Sequence, residues 1–276
     1  MMKNSSRLFL GILLCSGLSV AWNSQARAEE PYVQFLNALR ETRYFDMAEQ
    51  YLAGLEQNAE VSAEFKTRLP YEHAVTLIQG ATTIANYDAR GKQLDRAEQY
   101  IKEFVSKNAG HSLQVQANKQ LGNLLQLRAS GGVRLANSPG KSGLKAELLK
   151  AARAQYEESH KVFLESKETV KKQLEGMKAA LDPKTQGKEI ARRDELRKDY
   201  LQLQLLAAIT LEETADTVDP ADADYKKILT DAAKQFDDIY TKYRSLNAGI
   251  YSRVYQGRCY KKMGQFKDAL GYFSEI

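Results

Sequence analysis

Residues 43–55 read RYFDMAEQYLAGL and residues 92–104 read KQLDRAEQYIKEF. Asp46/Asp95, Ala48/Ala97, Glu49/Glu98, Gln50/Gln99 and Tyr51/Tyr100 coincide without a gap. Such self-similarity constrains a fold strongly, because a repeated unit that cannot bury its apolar face alone must stack on its neighbours. The repeated unit is helical. Ala97, Tyr100, Ile101, Phe104 and Val105 recur at i, i+3, i+4, i+7 and i+8, and Ile228, Leu229, Ala232, Phe236, Ile239, Tyr240 and Tyr243 follow the same rule. Pro31, Pro70, Pro139, Pro183 and Pro220 are all expected at segment ends, since proline lacks a donor and clashes with the preceding turn. Leu201 to Leu205 alternates like a strand, but it lies in a long Lys/Glu/Leu-rich stretch without turn signals and reads as helix.

Near the carboxy terminus, YQGRCYKKMGQFKDALGYF sets Gly257, Tyr260, Gly264, Phe266, Ala269 and Phe273 at a defined spacing. Here the chain resembles the tetratricopeptide repeat family, whose unit is a pair of antiparallel helices. Gly257 and Ala269 are expected to let two helices approach, with Tyr260, Phe266 and Phe273 filling the wedge between them. Phe45 to Ala48 and Leu94 to Ala97 repeat the start of the second helix. Ala38 to Leu39 and Ala85 to Asp88 are weaker matches to a first helix. The resemblance implies an all-α fold, a right-handed α-solenoid of tetratricopeptide-like hairpins across residues 29–276.

The middle departs from that unit. Ala117 to Ala129 resembles a first helix with Gly122 in the small position, and a flexible insert is expected from Gly131 to Gly143. Residues 144–181 then form one helical pattern with Leu149, Tyr156, Phe163, Val170 and Met177 seven apart. A turn at Asp182 to Gly187 leads into a second long pattern with Leu196, Tyr200, Leu203, Ala207 and Thr214 on one face. The expectation is an enlarged helical hairpin over 144–217.

The amino terminus sets the compartment. Lys3 and Arg7 precede an apolar run from Leu8 to Trp22, followed by Asn23, Ser24, Gln25 and the triplet Ala26-Arg27-Ala28. This order predicts a secretory signal peptide over residues 1–28, cleaved after Ala28. The run is 15 residues long, short of the roughly 20 that a spanning helix needs. An uncleaved anchor is the alternative; with cleavage, no integral membrane span is expected. Leu14 before Cys15 argues against lipidation. The expected location is periplasmic, elsewhere in a bacterial cell envelope, or secreted.

Composition narrows the function. Loss of Lys3, Arg7 and Arg27 with the leader lowers the formal net charge from +5 to about +2. The basic residues are interleaved with acidic ones, so no nucleic-acid partner is expected. Cys259 is left alone after cleavage, which excludes an intramolecular disulfide, and its helical setting predicts a small buried apolar residue. His73, His111 and His160 are far apart, and no motif for a metal or a nucleophile is met. Pro139-Gly140-Lys141-Ser142 imitates the end of a phosphate loop, but Leu135 stands where glycine is required. Asp216, Asp219, Asp222 and Asp224 lack the glycine and the bidentate acid of a calcium loop; Asp222 and Asp224 read as helix caps. No cofactor, metal or catalytic residue is expected.

The resemblance implies that the first helices line a concave face that holds a peptide or partner protein. Lys119-Gln120-Leu121-Gly122-Asn123 matches the K-x-x-G-N arrangement of repeats that clamp a peptide carboxylate, making Lys119 and Asn123 candidates. Tyr251, Tyr255, Arg258 and Lys262 share the presumed inner face of the last repeat, and Tyr and Arg are favoured at binding hot spots. Solenoids end in a polar cap, yet Gly264 to Ile276 is apolar on one face, so a further unit beyond Ile276 is expected. The reading is an exported interaction scaffold. The alternative is the helical region of a larger envelope protein whose catalytic or wall-binding domain follows residue 276.

Overall fold

Three helix starts follow directly from capping residues. Ser62 Oγ accepts from the Phe65 amide (3.1 Å), Asn86 Oδ1 from Ala89 (2.9 Å) and Asp222 Oδ1 from Asp224 (2.9 Å), each satisfying an amide that the first turn leaves orphaned. The computed structural model describes residues 31–276, so the expected leader over residues 1–28 and its expected cleavage site lie outside the described residues. Ten α-helices run through them: α1 (Pro31–Glu41), α2 (Phe45–Gln57), α3 (Ala63–Ala81), α4 (Tyr87–Lys107), α5 (Gln114–Ala136), α6 (Lys145–Glu175), α7 (Gly187–Thr214), α8 (Ala223–Tyr243), α9 (Asn247–Lys262) and α10 (Phe266–Phe273). Short 3₁₀ turns at Ser142–Leu144 and Ala215–Thr217 join them, and no strand occurs among the described residues. No described helix is long and apolar enough to cross a membrane.

Each helix packs on the next, and α3 with α5, α5 with α7 and α7 with α9 also touch. The core is accordingly a series of clusters between successive helices. Leu36, Leu52 and Phe65 form one; Leu94, Ile101, Phe104 and Leu124 another; Phe163 and Leu203 a third; Leu229, Phe236 and Cys259 a fourth. Burial pushes the Cys259 thiol up to about 12, as expected of a small apolar core residue.

The turns α1–α2 and α9–α10 are built alike. The Tyr44 amide donates to Leu39 O (2.8 Å) and the Gln265 amide to Tyr260 O (2.9 Å). Ala48 then donates to Tyr44 O and Ala269 to Gln265 O, both at 3.0 Å. Each turn requires one residue of positive φ, supplied by Arg43 at 63° and Gly264 at 79°. Ala48 and Ala269, at matching positions, are 0% and 2% exposed. The matching Ala97 of α4 is equally buried.

Two glycines permit close helix contacts. A Cβ on Gly257 would stand 2.6 Å from the Phe273 ring, and one on Gly122 would stand 2.3 Å from Phe163. Gly257 thus meets Phe273 as the sequence predicts, whereas Phe266, expected in the same wedge, is 63% exposed. Gly122 meets α6, so α5 is the close partner of α6, which packs on α7 as well.

Several expectations are corrected. Pro70 lies inside α3; the helix continues through it at the loss of one backbone bond. Gly131 and Gly132 belong to α5 and are buried. A Cβ on Gly132 would sit 3.4 Å from Ala152, and one on Gly131 would sit 3.4 Å from Tyr87, so these glycines are packing surface and the loop is confined to 137–141. The long helix α6 has 31 residues and stops at Gly176, short of the expected 181. Ala85 and Asn86 lead into α4, and Tyr87 and Asp88 form its first turn, not part of a separate first helix, because Asn86 starts α4 early.

Candidate partner-binding surface

Tyr251, Tyr255, Arg258 and Lys262 lie at spacings of four, three and four along α9, which puts them on one side of the helix. The strip runs from open to closed. Tyr251 is 46% exposed, beside Ile250 (43%) and Leu246 (48%) at the start of the same helix. One turn on, the Tyr255 ring stacks on Phe236 with centroids 5.3 Å apart and planes 19° from parallel. The Arg258 guanidinium lies over the other Tyr255 contact, 4.6 Å from the ring centroid.

The basic end of the strip is committed to α7. Lys262 Nζ approaches Glu212 Oε1 and Asp216 Oδ1, both at 2.8 Å. Arg258 Nη2 donates to Glu212 Oε2 at 3.3 Å. Glu212 is fully buried, and a carboxylate so far from water needs such partners. Neighbouring Glu213 receives a 2.7 Å hydrogen bond from Gln126 of α5. Burial is the main force raising its carboxyl to about 7, and the Glu212 charge adds to it, against the opposing pull of the Gln126 bond and the Lys262 and Arg258 charges. Burial is the largest influence on Arg258 and Lys262 and lowers both, but Glu212 together with Tyr255, Glu213 and Asp216 around Arg258, and with Asp216 around Lys262, holds each above its ordinary value.

The other predicted pair is placed differently. Lys119 Nζ donates to Asp199 Oδ1 at 2.9 Å and to Gln202 Oε1 at 2.8 Å, and the Gln116 amide donates to Asp199 Oδ2 at 3.1 Å. Asp199 is 5% exposed. The ammonium thus joins α5 to α7, so the Lys119 expected at a ligand carboxylate is engaged with a carboxylate of its own chain. Asn123 lies one turn further on and is half-buried. The structure does not bring Lys119 and Asn123 together with the α9 strip in one site.

Sequence reasoning missed the acidic partners. A third buried pair repeats the theme: Arg40 of α1 meets Glu72 of α3 at 2.8 Å, with side chains 5% and 1% exposed. Buried ion pairs therefore link α1 to α3, α5 to α7 and α7 to α9. Each partner is far away in sequence, so no local pattern announces the pairing. The only signal is an acid in an otherwise apolar helical face, as at Glu72 and Glu212.

A broader cleft of about 520 Å³ opens among α4, α5 and α6, lined by Tyr87, Arg90, Gly91, Asp95, Arg128 and Gly131 among others. Arg90 spans its upper edge, donating to Ile84 O at 2.9 Å. Arg128 is neutralised by Asp95 and Glu98. Of the residues considered for calcium, Asp216 is paired with Lys262, Asp219 accepts from the Ala221 amide (2.9 Å) and Asp222 caps α8. No group of three His, Cys, Asp or Glu suited to a metal occurs among the described residues. Compared with models of known families and with curated proteins, the chain matches none.

Proposed function

We propose that this chain is an exported interaction scaffold, a right-handed solenoid of tetratricopeptide-like hairpins that holds a protein or peptide partner on the face of α9. The observation that carries the reading is the shared construction of the α1–α2 and α9–α10 turns, with Phe45/Phe266 and the buried Ala48/Ala269 at equivalent places. The same helical unit thus stands at both ends of the described chain. Contacts between alternate helices α3, α5, α7 and α9 support stacking of successive units.

The partner surface is the open end of the α9 strip. Leu246, Ile250 and Tyr251 present exposed apolar and aromatic area at the start of α9, a composition favoured at interface cores.

Capture from a cell-envelope extract on immobilised residues 29–276 tests it, read by quantitative mass spectrometry. Wild type is expected to retain a defined set of proteins that Tyr251→Ala and Ile250→Ala each deplete at least about fivefold, a loss near 1 kcal/mol. Equal recovery on all three proteins overturns the assignment of α9.

A further inference from the structure

A second, smaller cavity of about 100 Å³ lies where the loop before α5 meets α6 and α7. It is independent of the α9 strip. His111, Gln114 and Asn118 line it from the loop and α5, Ser166 and Thr169 from α6, and Arg192 from α7. No carboxylate is among the lining residues. The lining is mostly polar, and its one formal charge is positive.

Two independent features point to an anion. First, the 23-residue helix α5 begins here with Leu113 at its cap position, no capping side-chain bond and no acid in its first turn. His111 takes the Leu113 and Gln114 amides at 3.1 and 2.9 Å, which leaves the Val115 and Gln116 amides and the positive helix end facing no acid. Second, the Ser166 hydroxyl is buried without a hydrogen-bond partner, in a residue only 2% exposed. Serines inside helices ordinarily bond back to a carbonyl, and a buried orphan hydroxyl is costly.

The remaining donors fit. His111 Nδ1 accepts from the Leu113 amide at 3.1 Å, which leaves the proton of the neutral ring on Nε2. Arg192 gives one N–H to Glu195 Oε2 at 3.0 Å and one to Gln173 Oε1 at 3.3 Å, and keeps further donors from its five. Thr169 Oγ1 spends its proton on Glu165 O at 3.0 Å, so it can only accept. About 100 Å³ leaves room for one tetrahedral oxyanion.

We propose that the cavity at the amino end of α5 binds a phosphate-class oxyanion through the α5 amides, Ser166 and Arg192. The chemistry is shared by the free ion and by the terminal phosphate of a small monoester, and the test separates them.

Titration calorimetry on residues 29–276 at constant ionic strength, with inorganic phosphate, sulfate, O-phosphoserine and chloride, decides the matter. Phosphate and sulfate are expected to bind saturably and chloride not. Arg192→Gln and Ser166→Ala should each weaken phosphate about tenfold or more, the loss of one charged or fully buried hydrogen bond. Ser166→Ala should meanwhile leave the ligand-free thermal midpoint unchanged or raised, because it removes an orphan hydroxyl; a purely structural serine would lower it. O-phosphoserine binding as tightly as phosphate supports the monoester source, and phosphate alone supports the free ion. Absence of saturable heat with phosphate and sulfate, equal binding of chloride, or wild-type affinity in both variants overturns the proposal.

Discussion

Arg43 and Gly264 occupy the same position in equivalent turns, with φ of 63° and 79°. Glycine adopts that region freely, whereas a side chain with a Cβ pays for it in strain. Arg43→Gly should therefore stabilise the fold by about 0.5–1 kcal/mol, less the greater freedom that glycine gives the unfolded chain. Urea denaturation of the two proteins checks this. A destabilisation beyond about 1 kcal/mol would mean that the Arg43 side chain makes a contact outweighing the strain.

Glycines that meet aromatic rings should respond differently from those in open space. A Cβ on Gly122 would fall 2.3 Å from Phe163, while a Cβ on Gly91 would meet nothing within 4 Å. Gly122→Ala is expected to cost roughly 1–3 kcal/mol through overpacking. Gly91→Ala should gain up to about 1 kcal/mol from helix propensity. Denaturation midpoints moving the same way in both variants would contradict the α5–α6 contact.

Ala97, wholly buried where α4 packs, should not accept a larger side chain. Ala97→Leu is expected to destabilise by roughly 1–3 kcal/mol. Lys102→Leu, at a side chain 63% exposed, should stay within about ±0.5 kcal/mol. Equal midpoint shifts would refute the helix–helix contact at Ala97.

Part of this was legible in the sequence, where local spacing decides it. Ala48, Ala97 and Ala269 recur at one place in a repeated motif, Gly257 and Phe273 lie in successive helices, and Asp222 caps the Asp224 amide two residues on. The ion pairs were not legible. Lys119 and Asp199 are 80 residues apart in sequence, so the matched K-x-x-G-N pattern could not show that its lysine is already paired. Gly131 and Gly132 read as loop by composition, since packing against Ala152 and Tyr87 is a tertiary effect. Pro70 read as a boundary for the same reason: neighbouring helices carry α3 past a residue that an isolated helix would not tolerate.

The α5–α7 joint should sense pH. Glu213 is raised from 4.5 to about 7, chiefly by burial. Its folded value exceeds its unfolded one, so the protonated group contributes stability below about pH 4.5, and that contribution is lost as pH rises through about 7. Glu213→Gln is neutral throughout and can still accept from Gln126. The variant should therefore exceed wild type in stability by on the order of 1–3 kcal/mol at pH 8, with the gap closing by pH 4.5. Unfolding curves across that range check it, and a difference independent of pH would refute the shift.

The open end of α9 is the proposed meeting point with a partner. A photoreactive phenylalanine analogue at position 251, and for comparison at position 161 on α6, where the Lys161 side chain is 72% exposed, tests this in place. Both proteins are expressed in full in the native cell and irradiated. A discrete higher-mass adduct is expected from position 251 and none from position 161. Adducts of equal yield from both positions, or none from position 251, would contradict it.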